Sequence, residues 1–437
     1  MPQKQKDGTN SMVDFTLQWH ITQRCGNHCR HCYMDETNYD LTFKDYSICI
    51  ENICSFEKKT DFFVSTIAIT GGDPLLNPEW FDIAQDIVAR KKSIMFLGNP
   101  ETLSDENLEK IALLSPQMYQ LSIDGMRQRH DYLRYNGSFD KTIEGIHKLN
   151  KKNIPIGIMF TLSNENVNDL KRVIYFLDSL KIKLSFAFDF VIETGHALNN
   201  DIRVPINKSD IFNQYLSIKK DLKSKNSLLT LQEKPSQLFA HKNADVLTNS
   251  LLEQIPFDIC CGCGAGWRHL TIIKKGDVLA CRRMPVQVGN LFSDSFESIL
   301  LHSPILKNLR ELENMGECST CLFQKFCRGC PAENYAFSSE FFNNKCMWYK
   351  SVDKNNHHTG TAIKDEWKKI SNVPKNFNIL REDKRAYLKS SIILHKKEER
   401  DKFIINPTKW KDDHRLNLNA EELGLLLFFV LSEKKIF

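Results

Sequence analysis

The stretch Cys25-Gly26-Asn27-His28-Cys29-Arg30-His31-Cys32 decides the reading of this chain. It sets three cysteines at C-x3-C-x2-C spacing in a polar loop that follows a β-rich run, Phe15–Ile21. Three thiolates suit three irons of a 4Fe–4S cluster, because cysteine sulfur is the usual ligand of such clusters. The fourth iron then stays open to an outside ligand, whereas a fourth cysteine would close the cluster and suit it to electron transfer alone. His28 and His31 also leave a zinc knuckle open on local spacing.

Outward from that loop, β-rich and helix-periodic stretches alternate from residue 14 to 192. The β-rich runs are Phe15–Ile21, Phe62–Thr70, Ser93–Leu97, Met118–Ile123, Ile154–Leu162 and Leu184–Ile192. Between them, Phe81–Val88 carries apolar residues at helical spacing, and Asn166–Leu180 puts Val167, Leu170, Val173, Ile174 and Leu177 on one face. Six βα units predict an α/β fold, a partial (βα)6 barrel of the TIM type. Chemistry in such folds sits at the C-terminal ends of the strands, which is where the cysteine loop falls. Cys49 and Cys54 read instead as buried thiols on the helix after the loop.

The cysteine motif, followed by Tyr33, resembles the signature of the radical S-adenosylmethionine (SAM) superfamily. The resemblance implies that SAM chelates the open iron and is cleaved to a 5′-deoxyadenosyl radical. Thr70-Gly71-Gly72-Asp73-Pro74, at the second strand's end, is similar to the family's Gly-Gly-Glu-Pro turn, with Asp73 in place of the commoner Glu. The resemblance implies cofactor contacts from Gly71, Gly72, Asp73 and Pro74, the glycines allowing close backbone approach. In Gln120-Leu121-Ser122-Ile123-Asp124-Gly125, Ser122 and Asp124 alternate onto one strand face and are expected to reach the SAM ribose. His130–Arg134 and Gly137–Asp140 resemble the subgroup that modifies peptides and proteins. No residue is singled out as a catalytic acid or base.

Residues 256–350 change character and hold nine of the 14 cysteines. Cys263-x12-Gly276-x4-Cys281, Cys318-x2-Cys321-x5-Cys327-x2-Cys330 and Cys346 resemble the SPASM extension, which binds two auxiliary 4Fe–4S clusters. The spacing before Cys330 is one residue short of the usual pattern. The resemblance assigns Cys318, Cys321, Cys327 and Cys346 to the distal cluster and Cys263, Cys281 and Cys330 to the proximal one. Cys260 or Cys261 is the candidate for the proximal cluster's fourth ligand, the alternative being a site that stays open. A zinc ribbon needs only four ligands. Arg282 stands where the sulfatase-maturing branch has Asp, which argues against that activity; Arg283 reads as a partner for a peptide carboxylate, a cluster-tuning group or a plain surface charge.

The expected organisation is an N-terminal tail (1–13), a barrel (14–255), the SPASM region (256–350) and a small α+β extension (351–437). The segment 193–255 reads as helical, polar and connective. The extension, with β-like runs Tyr387–His395 and Lys402–Asn406 before a helix Ala420–Leu431, loosely resembles a peptide-recognition domain that adds a leader strand to a sheet edge. It carries 18 Lys and Arg against 13 Asp and Glu, which accounts for the whole formal charge of +5. The rest is electrically balanced, so nucleic acid is not the expected partner. Hydrophobic content is 41%, no apolar run is long enough to span a bilayer, and Met1–Asn10 lacks a signal-peptide core. A cytoplasmic enzyme is expected, with a precursor peptide or protein as substrate and a flavodoxin- or ferredoxin-type electron donor. An enzyme acting on a small cofactor precursor and a non-enzymatic metal-dependent binding protein are the alternatives.

Overall fold

Along the first strand, Phe15, Leu17, Trp19 and Ile21 are all fully buried on the helix side. Gln18 and His20, also buried, face the opposite way. This is the pattern of a strand covered on both faces; β-strands further along the sheet alternate buried with half-buried residues instead. The computed structural model describes residues 13–34, 38–60, 62–205, 208–232, 263–266, 268–310 and 329–338. Its strands are β1 (Val13–His20), β2 (Phe62–Thr70), β3 (Ser93–Leu97), β4 (Met118–Ser122), β5 (Ile156–Leu162), β6 (Leu184–Phe190), β7 (Leu229–Leu231), β8 (His269–Ile272), β9 (Asp277–Cys281) and β10 (Met284–Asn290). They form one sheet in the order β10-β9-β8-β1-β2-β3-β4-β5-β6-β7.

The six βα units follow one another through β1 to β6, all parallel. The helices of the first five units are α1 (Phe43–Glu57), α2 (Trp80–Ala89), α3 (Asp105–Leu114), α4 (Arg127–Leu133) and α5 (Ser138–Lys151), which both follow β4, and α6 (Leu170–Ser179). The longer helices present an apolar stripe to the sheet. On α6, Leu170, Val173, Ile174 and Leu177 are fully buried, each contributing roughly 1.5–3 kcal/mol. On α1 the stripe is Tyr46, Cys49, Ile50, Ile53, Cys54 and Phe56, so both helix cysteines sit in the core. Thr42 caps α1 by accepting the Asp45 N–H at 3.1 Å.

The sheet goes beyond the six expected strands at both edges. The segment read as helical and connective holds α7 (Gly195–Asn199) and α8 (Lys208–Ser224), but it also supplies β7, parallel to β6. On the other side, β8 pairs parallel with β1, and β9 and β10 continue antiparallel. The start of the Cys-rich region is therefore hydrogen-bonded into the barrel sheet, where it covers the β1 edge. The expected elements of 351–437 lie outside the described residues.

Candidate functional site

The cysteine loop leaves the C-terminal end of β1 and is tied down from four directions. Asn77 is fully buried, and its amide donates to the carbonyls of Ile21 (2.6 Å) and Leu41 (2.9 Å). Asp40 accepts from Thr22 Oγ1 at 2.7 Å and pairs with Arg24 at 2.8 Å. The Gly71-Gly72 turn lies directly under the loop: Gly72 N–H donates to Thr22 O (3.2 Å) and Asp73 N–H to Arg24 O (2.8 Å). At the far end, His196 N–H donates to Cys32 O at 2.8 Å, and the Asn200 amide donates to Arg30 O at 3.0 Å.

The glycines are required for that approach. A Cβ on Gly71 would stand 2.2 Å from Thr22 O, and one on Gly72 would stand 2.1 Å from Arg24 O and 2.6 Å from Cys25 Cβ. Gly195, at φ +56°, plays the same part beneath Cys32, whose carbonyl oxygen would be 2.8 Å from a Cβ there. The backbone that comes close to Gly71-Gly72 is thus that of the cysteine loop itself.

Above the strand ends lies a cavity of about 200 Å³. Cys25, Cys29, Cys32, Gly71, Gly72 and Ser122 all line it. So do Gln18 of β1, Asn99 after β3, Arg134 after α4, Asp189 of β6, and Arg282 and Arg283 between β9 and β10. Three expected contacts, Asp73, Pro74 and Asp124, are not among the residues that line it. Asp73 is buried under the turn: its carboxylate accepts from Thr102 Oγ1 (2.8 Å) and from Leu75 N–H (3.3 Å), capping the short 3-10 turn Pro74–Leu76. Burial pushes the Asp73 carboxyl up to about 7, against the Thr102 hydrogen bond. Asp124 is fully buried outside the cavity lining. β4 ends at Ser122, so strand alternation no longer governs where Asp124 points.

Each thiol of the motif receives an N–H. Asn99 Nδ2 donates to Cys25 Sγ at 3.4 Å, Arg134 Nη1 to Cys29 Sγ at 3.8 Å, and Met34 N to Cys32 Sγ at 3.4 Å. Burial raises the Cys25 thiol and pushes Cys29 up to about 12, with Arg134 opposing the shift at Cys29. The sequence alone assigns no role to Asn99, Arg134, Gly195 or His196. Only Arg134 carried a signal, as the last residue of the His130–Arg134 motif.

The donor set fits a 4Fe–4S cluster. Three half-buried cysteines of one loop share one cavity, each with a donor to stabilise a thiolate. Among the described residues, no three His, Cys, Asp or Glu side chains are spaced to hold one metal ion. A second group of cysteines lies beyond Arg283. Cys330, pushed up to about 12 by burial, is acted on by Arg283 and Cys263, and Arg283 in turn by Cys330 and Cys281. Among the described residues no disulfide is formed. Cys260, Cys261, Cys318, Cys321, Cys327 and Cys346 fall outside the described residues.

Arg283 ion-pairs with Asp189 and donates to Phe190 O at 3.1 Å. Arg282 donates to Gln18 Oε1 at 2.8 Å, and its guanidinium lies 5.9 Å from the Tyr33 ring centre. The two arginines thus join the cavity wall to the Cys281 strand end.

The radical SAM superfamily model matches residues 19–177. The chain belongs to the radical SAM superfamily. The SPASM model, an iron–sulfur cluster-binding domain, matches residues 261–322 of this radical SAM enzyme. The chain is 24% identical over 332 residues to an AdoMet-dependent heme synthase of Methanosarcina barkeri, covering 74% of this chain and 93% of that one. It is 24% identical over 363 residues to the antilisterial bacteriocin subtilosin biosynthesis protein AlbA of Bacillus subtilis, covering 78% and 74%. Among solved structures, Streptococcus suis SuiB bound to S-adenosylmethionine shares the fold at TM-score 0.62 and 16% identity, covering 78% of each chain.

Proposed function

We propose that this radical SAM enzyme modifies side chains of a ribosomally made peptide or protein, forming a thioether or other crosslink or an oxidised residue. The observation that carries the reading is that one cavity is walled by the SAM-type cysteine loop on one side and by the Arg282-Arg283 turn after Cys281 on the other. A substrate held there lies between a radical source and an auxiliary electron acceptor. Among the relatives, AlbA is named for bacteriocin biosynthesis, and SuiB is also known bound to its precursor peptide SuiA, with TM-score 0.63 to this chain.

In this reading Cys25, Cys29 and Cys32 hold the SAM-binding cluster. When bound, cluster and SAM together supply a 5′-deoxyadenosyl radical that takes a hydrogen atom from the substrate. The chain's own residues orient and enclose. Gly71-Gly72 fix the height of the loop, and Ser122 and Gln18 offer polar groups to the bound cofactor. Arg283, fixed by Asp189, closes the wall towards Cys263, Cys281 and Cys330. Those three, with Cys260 or Cys261, hold a proximal auxiliary cluster; Cys318, Cys321, Cys327 and Cys346 hold a distal one. A flavodoxin- or ferredoxin-type protein of the cytoplasm supplies the electron. Among the described residues no helix is long and apolar enough to cross a membrane.

A second reading, action on a porphyrin-type cofactor precursor, is favoured by the match to 93% of the archaeal heme synthase. One experiment separates them: 5′-deoxyadenosine formation by the reconstituted enzyme with short peptides encoded beside its gene, or with iron porphyrins. Peptide-stimulated turnover with loss of two hydrogen masses from the peptide supports the first reading. Stimulation by porphyrin alone overturns it.

A further inference from the structure

The three motif sulfurs do not receive equal donors. Cys25 faces a neutral side-chain amide and Cys32 a backbone amide, but Cys29 faces a guanidinium. That guanidinium is held from behind. Arg134 Nε donates to Asp124 Oδ2 at 2.7 Å, and the two side chains are 11% and 0% exposed. Asp124 is itself locked: Oδ1 accepts the Thr161 N–H at 2.7 Å, and His31 Nε2 lies 3.3 Å from Oδ2. Its backbone N–H donates to His130 Nδ1 at 3.0 Å, while the other ring nitrogen of His130 lies 3.0 Å from Ser138 Oγ. A planar fork with one side fixed on a buried carboxylate can aim its other side at only one place.

We propose that Arg134 sets the reduction potential of the SAM-cleaving cluster by donating a guanidinium N–H to the Cys29 sulfur from a position fixed by Asp124. The inference rests on the reading that Cys25, Cys29 and Cys32 hold that cluster. Hydrogen bonds to cluster sulfurs draw charge from the thiolates, stabilise the reduced cluster and raise its potential. A charged donor in a low-dielectric site does this more strongly than a neutral one. Asp124 neutralises the guanidinium overall, but it stands on the Nε side, so the edge nearest the sulfur remains electropositive. Arg134 is therefore a positioning and tuning residue acting through Cys29.

The test is an EPR-monitored redox titration of the reconstituted full chain without SAM, reading the cluster whose signal changes when SAM is later added. R134M is expected to titrate at a more negative potential than the parent with the same iron content. N99S, which removes a neutral donor, should shift it less in the same direction. R134K keeps the charge but loses the planar fork; it should also fall below the parent, and it serves if R134M does not assemble. A variant of Arg134 with full iron and the parent's potential overturns the proposal. So does one whose only change is weaker SAM binding, since that makes Arg134 a cofactor contact. Failure of the underlying ligand assignment looks different: C29A would keep the SAM-responsive signal.

Discussion

Replacing Gly72 by Ala perturbs the cysteine loop through contacts with its backbone and with the Cys25 Cβ. The added Cβ would lie 2.1 Å from Arg24 O, 2.5 Å from Arg24 C and 2.6 Å from Cys25 Cβ. None of these is the far end of a flexible side chain. Relief to the 3.4 Å of ordinary contact requires the loop to rise by about 1.3 Å, on the scale at which a misplaced group costs about 100-fold in rate. The same shift weakens the Gly72–Thr22 and Asp73–Arg24 hydrogen bonds, at about 1 kcal/mol each. We expect G72A to fold with a stability loss of about 2 kcal/mol and to form 5′-deoxyadenosine about 100-fold more slowly. Gly26 is the internal control: it is exposed, and a Cβ there meets nothing within 4 Å. The assay is 5′-deoxyadenosine formation under saturating reductant, with rates normalised to iron content. If G72A matches G26A in rate at equal iron, the account of the glycine pair as a seat for the cysteine loop is wrong.

Three further outcomes follow from the same contacts. Burial holds His130 down at about 4 and His20 at about 3, with Arg134 and Arg282 adding to the respective shifts. Both therefore stay neutral when folded but take up protons when unfolded below about pH 6.5, so stability falls on acidification from there to about pH 4, by up to about 2.7 kcal/mol per pH unit. Urea midpoints measured against pH should show this slope, and H130N should flatten it. Burial alone would raise Asp124, but Arg134 and His31 overcome it and hold the carboxyl well below the usual range. Its contribution is therefore present above about pH 4 and lost only as pH falls further; at pH 7, D124N should cost about 3–5 kcal/mol by leaving Arg134 buried and unpaired, seen as a lower urea midpoint. N77A removes the donors to two buried carbonyls and the acceptor for Glu79 N–H; a thermal or urea melt should show a loss of about 2–4 kcal/mol.

The strands Phe62–Thr70 and Ser93–Leu97 have the same limits in sequence and in structure, because a run of β-formers between helix-periodic segments is a local signal. So is the spacing of Cys25, Cys29 and Cys32. What escaped is set by partners distant in the chain. β7 has three residues, too few to show a period, and exists because β6 offers an edge. β8 carries no mark of its pairing with β1 some 250 residues away. Asn99 comes to the sulfurs from the end of β3 and Arg134 from the end of α4, and neither residue type announces a sulfur partner. Asp124 shows where a periodic argument stops: it lies two residues past the end of β4, and its partners Arg134, Thr161 and His31 come from other parts of the chain.

The central claim is that the Cys25-Cys29-Cys32 loop forms the SAM-cleaving centre. The direct measurement compares the anaerobically reconstituted chain with its C25A/C29A/C32A variant for iron content and 5′-deoxyadenosine formation under reductant. The account predicts that the parent cleaves SAM, while the variant loses about four irons per chain, keeps the rest and forms no 5′-deoxyadenosine. A fully iron-loaded parent that leaves SAM intact, or a variant that still cleaves it, would contradict the account.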